Sequence, residues 1–146
     1  MDADKEQITE VLIRYATGID SKDWPLFRSC WTDEIDADYQ QLGRFSSADA
    51  LTEVMTRLHE NMGPTYHRLS NFVIAVDGDR ATARSYVQAV LMLQPDDSTN
   101  WVDATGHYDD VLVRSAGGWR INKRVSRTAR TLTGGDLATA AVREQS

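Results

Sequence analysis

Cysteine and basic residues are both scarce in this sequence. The chain of 146 residues has one cysteine, and its 16 lysines and arginines are outnumbered by 22 aspartates and glutamates, which leaves a formal net charge of −6. One cysteine cannot form a disulfide within the chain. The acidic balance provides no basic surface of the kind that attracts nucleic acid or an anionic membrane, so we expect neither partner.

Long apolar runs are also absent. No stretch approaches the roughly 20 apolar residues that cross a bilayer, and the N-terminus has no apolar segment behind a basic head, as a signal peptide would. We therefore expect a soluble, cytoplasmic protein. A composition of 41% hydrophobic and 8% aromatic residues can bury one core. We expect a single domain over residues 1–131 and a tail over residues 132–146 that is a short helix or disordered.

Common catalytic and metal-binding motifs are missing too. There is no GxSxG, no GxGxxG and no phosphate loop, which removes the usual hydrolase and nucleotide-binding interpretations. The three histidines show no HxH or HExxH spacing, so we predict no metal and no cofactor. The cysteine, Cys30, lies in a helical pattern without a flanking basic residue, which favours a small buried hydrophobe over a catalytic thiol.

Hydrophobic spacing predicts three helices in the first part of the chain. Residues 4–19 carry apolar side chains three and four positions apart, which form one stripe on a helix. Asp23 and Pro25 are typical of a second helix start. Ser46 or Ser47 can cap a third helix that ends near residue 61, with His59 on its surface. The predicted apolar stripe of this third helix is Leu51, Val54, Met55 and Leu58.

The pattern changes to long strands after residues 63–64, which are Gly-Pro. A short strand is predicted earlier, over residues 35–39, and four long ones follow over residues 65–76, 81–93, 101–114 and 119–128. A polar loop is predicted over residues 95–100. Helices followed by a meander of antiparallel strands predict an α+β domain in which the sheet wraps round the helices.

Asp20 and His67 are the two residues that we single out for chemistry. Asp20 ends the first helix, and His67 begins the first long strand. A carboxylate that holds an imidazole makes a general base, so we predict that these side chains meet. Two ordinary structural roles stay open here, because Asp20 could bind backbone groups of the turn and His67 could bind a backbone carbonyl.

Polar residues on the strands give two further candidates. Residues two apart on a strand share a face, so Asn71 is predicted to lie beside His67 in the cavity. The same alternation groups His107 with Asp109 and places both opposite Tyr108. His107 is a second candidate for a polar site residue, and a solvated or dimer-contact histidine is the alternative.

Tyrosines and arginines complete the polar candidates. Tyr39 on the first strand and Tyr15 on the first helix could each donate a hydrogen bond to a developing oxyanion, with ordinary core packing as the alternative. Four arginines on or after the last strand are predicted to form a charged outer face, with contact to an acidic substrate as the alternative. They are Arg120, Arg124, Arg127 and Arg130.

Four segments of the sequence resemble one known family. They are YATGIDSKDW at 15–24, TYHRLSN at 65–71, GHYDD at 106–110 and GWRI at 118–121. Together they resemble the SnoaL-like superfamily, which shares its fold with ketosteroid isomerase, limonene epoxide hydrolase and scytalone dehydratase. The likeness covers roughly residues 4–128. It implies a cone-shaped α+β barrel, with three N-terminal helices packed in a strongly curved, mostly antiparallel sheet around a deep pocket.

The resemblance also implies roles for particular residues. Compared with scytalone dehydratase, Asp20 matches the aspartate of the catalytic dyad and His67 its histidine. Tyr39 matches a tyrosine that polarises a carbonyl, and His107 matches a second histidine in a Gly-His step. The dehydratase pattern has a tyrosine immediately before the aspartate, whereas this chain has Ile19. This departure bears on the substrate more than on the dyad.

These observations lead to a functional hypothesis with open alternatives. We expect a cofactor-free lyase or isomerase, dehydratase-like, that acts on a small, largely apolar cyclic or polyketide- or steroid-like compound. The substrate-binding candidates are Tyr15, Trp24, Met55, Asn71 and Val90. A non-catalytic ligand carrier or accessory protein, an interaction protein, a cyclase and an epoxide hydrolase stay open, because the same fold serves several functions. We expect a homo-oligomer, a dimer or a trimer.

Overall fold

The computed structural model of the chain describes residues 2–135. Within them, three α-helices and six strands follow in the order α1 (Asp2–Asp20), α2 (Trp24–Ser29), β1 (Trp31–Asp38), β2 (Arg44–Ser47), α3 (Ala48–His59), β3 (Thr65–Asp77), β4 (Arg80–Gln94), β5 (Asp97–Ser115) and β6 (Gly118–Thr133). A short 3-10 helix, Gln40–Leu42, lies between β1 and β2. None of these helices combines the length and the apolar character that a membrane crossing requires.

Helices α2 and α3 begin where their capping residues predict. Asp23 caps α2 by accepting a hydrogen bond from the Leu26 amide at 3.1 Å, and Pro25 lies in the first turn. Ser47 caps α3 by accepting one from the Ala50 amide at 3.0 Å. The predicted apolar stripe of α1 is confirmed, since all of its members are buried. They are Ile8, Val11, Leu12, Tyr15 and Ile19.

The buried stripe of α3 differs from the predicted one. It consists of Ala48, Leu51, Met55 and His59, whereas Leu58 is exposed. Steps of three, four and four residues keep these four side chains on one face, and His59 takes the position expected for Leu58. The prediction of a surface position for His59 is therefore wrong. The sequence pattern is ambiguous here, because Leu58 and His59 are neighbours.

The six strands form one open, mixed sheet in the order β2-β1-β6-β5-β4-β3. All neighbouring pairs are antiparallel except β1 and β6, which are parallel. The predicted α+β class is confirmed, with an unclosed sheet whose edges are β2 and β3. The helices cover one face, which we call the inner face, and the core lies between them and the sheet. The opposite surface is called the outer face.

Four segments of the sheet were not predicted in this form. Strand β1 begins at Trp31 instead of residue 35, and β2 was not predicted, because a turn at residues 43–44 was expected to lead directly to the third helix. Strand β5 begins at Asp97, inside the stretch expected to be a loop, and pairs there with Gln94. Strand β6 continues to Thr133, beyond the expected domain end. Residues 136–146 of the predicted tail lie outside the described residues.

Candidate functional site

Asp20, the last residue of α1, directs its carboxylate at the beginning of β3. Its Oδ1 accepts a hydrogen bond from Thr65 Oγ1 at 2.9 Å, and its Oδ2 accepts one from the His67 backbone amide at 2.8 Å. A negative charge at the C-terminal end of a helix is opposed by the helix dipole. The ionised carboxylate therefore depends on the donors that β3 supplies.

The side chain of His67 completes this arrangement. Its Nδ1 lies 2.7 Å from Asp20 Oδ1, and the imidazole is only 10% exposed. A carboxylate oxygen can only accept, so Nδ1 carries the hydrogen and Nε2 of the neutral ring keeps a lone pair. Asp20 thus determines both the orientation and the tautomer of the ring.

The charge state of Asp20 follows from the same contacts. Burial by itself raises the pKa of this carboxyl, but the hydrogen bonds from the His67 ring, the His67 backbone and Thr65 outweigh it. The pKa is held below its ordinary value of 3.8. Asp20 is therefore a carboxylate at neutral pH.

The turn after α1 holds Asp20 in place. Lys22 has a φ of +54°, which ends the helix, and its Nζ donates to the Met62 carbonyl at 2.8 Å just before β3. Gly18 lets α2 approach closely, because a Cβ at this position would lie 2.8 Å from the Phe27 nitrogen. Both contacts fix the end of α1 against its neighbours.

Asp20 is reached from the surface through a shallow cavity of about 300 Å³. Its wall is formed by Thr17, Asp20, Ser21, Pro64, Thr65 and Tyr66. A larger groove of about 550 Å³ crosses the outer face and includes Val73, Arg84 and Lys123. Size alone would favour the groove, but neither Asp20 nor His67 lines it, and of this pair only Asp20 lines the smaller cavity. We therefore locate the candidate site by its chemistry.

A second polar group lies inside the core, formed by Tyr15, Tyr39, Asp110 and Arg124, and we call it the buried polar cluster. Arg124 forms two hydrogen bonds with Asp110, at 2.8 and 3.0 Å, and both side chains are 0% exposed. Arg124 Nη1 also lies 3.4 Å from Tyr39 Oη, which is 2.6 Å from Tyr15 Oη. The guanidinium covers the Tyr15 ring at 4.1 Å.

The predicted outer position of Arg124 is therefore wrong. Strand β6 carries one extra residue between Ile121 and Lys123, and this bulge directs Arg124 inward opposite Asp110, where the carboxylate and the tyrosine rings compensate its buried charge. Burial raises the pKa of Tyr39, and the Arg124 charge partly offsets this effect. Burial also raises the pKa of Asp110, against the effect of Arg124. Two-residue steps counted from the buried Trp119 and Ile121 would direct Arg124 outward, so the sequence alone did not indicate its burial.

Trp24 and Met55, two predicted substrate-binding residues, lie on the helices near His59. The Trp24 ring lies 5.7 Å from the His59 ring and 5.7 Å from the Phe27 ring. Met55 is buried in the core, and its carbonyl oxygen is 2.8 Å from His59 Nδ1. His59 in turn lies 6.4 Å from His67, centroid to centroid. The structure thus adds His59 to the surroundings of His67.

Asn71 does not share a face with His67, so that prediction is wrong. The register of β3 shifts between Ser70 and Val73, and Asn71 adopts a φ of +54° within this bulge. The extra residue reverses the alternation, because Phe72 turns inward while Asn71 and Val73 are exposed. Alternation counted along the sequence cannot anticipate a bulge.

His107 and Val90 lie on the outer face, away from His67, which corrects both predicted site positions. His67 pairs with Ala89, so the adjacent Val90 points to the opposite side. His107 pairs with Tyr86, which is 52% exposed on the same outer face. Its Nε2 is 3.5 Å from Asp109 Oδ2. The predicted grouping of His107 with Asp109 is confirmed, but this is not the face that carries His67.

Cys30 is fully buried, as predicted for a small hydrophobe. Burial raises the pKa of its thiol to about 11, so it is not a nucleophile at neutral pH. Within residues 2–135, no group of three or more His, Cys, Asp or Glu side chains is arranged to hold a metal ion.

The fold and the pair define a class of protein: a cone-shaped α+β domain in which a helix end presents a carboxylate to a histidine on the sheet. The chain belongs to the SnoaL-like domain family, whose model matches residues 3–125. Among curated proteins, relatives from Mycobacterium tuberculosis (strain H37Rv) and Mycobacterium bovis are each 28% identical over 128 residues, 84% of this chain and 84% of theirs. Both are described as uncharacterized proteins.

Solved structures show the same fold. A protein from Kribbella flavida has a TM-score of 0.83 at 24% identity, covering 90% of this chain and 94% of its own. A candidate scytalone dehydratase from Novosphingobium aromaticivorans has a TM-score of 0.81 at 20% identity, covering 91% of this chain and 89% of its own. A type 2 hexachlorocyclohexane dehydrochlorinase has a TM-score of 0.78 at 17% identity, covering 91% of this chain and 90% of its own. At these identities the likeness concerns the fold.

Proposed function

We propose that the protein is a cofactor-free lyase or isomerase, dehydratase-like, for a small, largely apolar cyclic compound. The observation that carries this proposal is the 2.7 Å contact between Asp20 Oδ1 and His67 Nδ1. An ionised carboxylate that holds an imidazole by Nδ1 leaves Nε2 free to accept a proton from a substrate carbon. The names of two structural neighbours, a dehydrochlorinase and a candidate dehydratase, denote loss of a small molecule and support an elimination.

The proton transfer follows from the orientation of the ring. His67 Nε2 takes a proton from the carbon next to a carbonyl, and the electron pair of that C–H bond moves into an enolate. In a lyase the enolate then expels a hydroxyl group from the next carbon, the His67 imidazolium returns its proton to that oxygen so that water leaves, and a C=C bond forms. In an isomerase the proton returns at another carbon. Asp20 stabilises the imidazolium during either reaction, which is the usual role of such a carboxylate.

The buried polar cluster can supply the stabilising donor. Arg124 donates to Tyr39 Oη, and when Tyr15 donates to Tyr39 as well, the Tyr39 hydrogen is free for an enolate oxygen. The positive charge of Arg124 then favours negative charge that develops beside the phenol. We propose Tyr39 as the donor to the oxyanion and Tyr15 as the residue that orients it.

Proton exchange tests this proposal without knowledge of the leaving group. A panel of cyclic ketones and cyclic hydroxy-ketones is incubated in D₂O, and NMR measures both deuterium uptake next to the carbonyl and loss of water. The wild type is expected to catalyse exchange. His67→Gln and Asp20→Asn are expected to lower the rate by about 10² to 10⁴, the usual contribution of a general base.

His107→Gln is the matched control, because this histidine lies on the outer face of the same sheet. It is expected to exchange at the wild-type rate. Equal rates in the wild type and His67→Gln on every ketone that exchanges would contradict the proposal. Binding of a ketone that survives both substitutions, without exchange, would identify a ligand carrier instead.

A further inference from the structure

His59 is a buried polar residue that the proposed mechanism does not use. It is 5% exposed, on the stripe of α3 that faces the interior. Its ring lies 5.7 Å from the Trp24 ring and 6.4 Å from the His67 ring, measured between centroids. The His59 ring is therefore close to the ring of His67, the proposed base.

The hydrogen bond to its own helix determines the tautomer of His59. Nδ1 lies 2.8 Å from the Met55 carbonyl oxygen, one turn earlier in α3. A carbonyl oxygen can only accept, so Nδ1 carries the hydrogen and Nε2 has a lone pair. Because Nδ1 faces the backbone of α3, Nε2 on the far side of the ring points away from that helix.

His59 Nε2 has no hydrogen-bond partner within the described residues and is shielded from solvent. Buried acceptors are nearly always satisfied in native proteins, so an unpaired one requires an explanation. Burial lowers the pKa of His59, the Met55 carbonyl opposes this, and the nearby His67 adds to the lowering. The ring is thus neutral near pH 7, and the unpaired atom remains an acceptor.

We propose that His59 Nε2 accepts a hydrogen bond from a hydroxyl group of the ligand that lies beside His67. His59 would then be a specificity-determining residue, and the substrate class narrows to cyclic compounds that carry a hydroxyl donor. A site that hydrogen-bonds a substrate hydroxyl discriminates against analogues that lack it, because the buried acceptor is then left unpaired. This inference rests on the proposed function, since it places the ligand next to the Asp20–His67 pair.

Two bicyclic probes test the inference directly. 2-Naphthol and 2-methoxynaphthalene have the same ring system and an oxygen at the same position, but only the first can donate a hydrogen bond. Equilibrium dialysis is expected to show that the wild type prefers 2-naphthol by roughly threefold to tenfold, as one hydrogen bond predicts. Equal binding of the two probes would overturn the inference.

Two substitutions distinguish the contribution of Nε2 to ligand binding from that of Nδ1. His59→Asn keeps an amide donor near the Nδ1 position and removes the acceptor at Nε2, so the preference is expected to disappear. His59→Gln places its amide near the Nε2 position and should retain part of it. A preference that persists in His59→Asn would contradict the role of Nε2.

Histidine NMR gives a readout that does not require a variant. The chain has three histidines, so ¹⁵N-labelled ring signals can be resolved and assigned. 2-Naphthol is expected to shift the ring ¹⁵N signals of His67 and the Nε2 signal of His59. 2-Methoxynaphthalene is expected to shift the signals of His67 alone. If 2-naphthol shifts His67 but leaves His59 unchanged, this inference fails and the proposed function stands. If neither probe shifts His67, the ligand site beside the pair fails, and this inference fails with it.

Discussion

The carboxylate of Asp20 contacts His67 twice, through the ring at 2.7 Å and through the backbone amide at 2.8 Å. The second contact anchors the strand and the first orients the imidazole, so the end of α1 and the beginning of β3 behave as one unit. Thr65 reinforces the same carboxylate from the strand. Loss of the charge on Asp20 should therefore affect stability as well as catalysis.

The acid stability of the protein should depend on Asp20. Its folded-state pKa is below 3.8, so the unfolded chain takes up the proton first as the pH falls. The stability that this carboxylate contributes is complete above about pH 3.8 and is lost as the pH falls through the folded-state pKa. Urea unfolding between pH 2.5 and pH 6 is the measurement. Asp20→Asn should flatten this part of the curve, and an unchanged pH profile would contradict the assignment.

Breaking the Asp110–Arg124 pair should be strongly destabilising. Both groups are fully buried, so Asp110→Leu leaves an uncompensated guanidinium and Arg124→Met an uncompensated carboxylate. Each single change should lower the free energy of unfolding by about 3–5 kcal/mol. The double variant Asp110→Leu/Arg124→Met should recover much of that loss, because it removes both charges. Additive losses in this denaturation cycle would refute the coupling.

Tyr39→Phe should slow proton exchange on the best ketone by about 10² to 10³, the effect of removing one oxyanion donor. Tyr15→Phe should have a smaller effect, because Tyr15 orients Tyr39 through the 2.6 Å hydrogen bond and is not itself the proposed donor. Exchange rates at saturating ketone measure both. A larger loss in Tyr15→Phe than in Tyr39→Phe would reverse the two roles.

The bulge in β3 can be tested at Asn71. Its φ of +54° suits glycine or asparagine, whereas a β-branched side chain is strained there. Asn71→Val should destabilise the fold by about 1–2 kcal/mol, and Asn71→Gly should stay within about 1 kcal/mol of the wild type. Thermal and urea unfolding give these values. Asn71→Gly should also retain full exchange activity. A large loss of exchange activity would indicate that Asn71 contributes to the candidate site.

Gly106 tests the contact between β5 and β6. A Cβ at this position would lie 1.9 Å from the Arg127 carbonyl oxygen, so Gly106→Ala forces the two backbones apart. The expected loss is more than about 2 kcal/mol. Gly78→Ala is the matched control, since its Cβ meets nothing within 4 Å and only its φ of +60° is unfavourable. That change should cost about 1 kcal/mol, and equal losses in the two variants would show that the close approach is not limiting.

Local patterns were sufficient for the presence of the helices, for the stripe of α1 and for two of the site residues, but not for the buried face of α3. The stripe of α1 and the caps Asp23 and Ser47 depend on short-range spacing, which the sequence displays directly. Asp20 stood out because it ends the first helix with a carboxylate that has no evident structural role, and His67 because it begins a strand. The sequence alone therefore determined the α+β class and the candidate pair.

Only the tertiary structure decided which of the other polar residues surround that pair. One bulge turned Asn71 outward, and the sheet register left His107 on the outer face. Burial of His59 depended on which face of α3 packs on the core, and burial of Arg124 on a bulge in β6, and both involve partners distant in the chain. Side-chain alternation is a local property, but its phase relative to the core is set by strand pairing and helix packing. For this reason the sequence indicated the base, whereas the fold determined what lies around it.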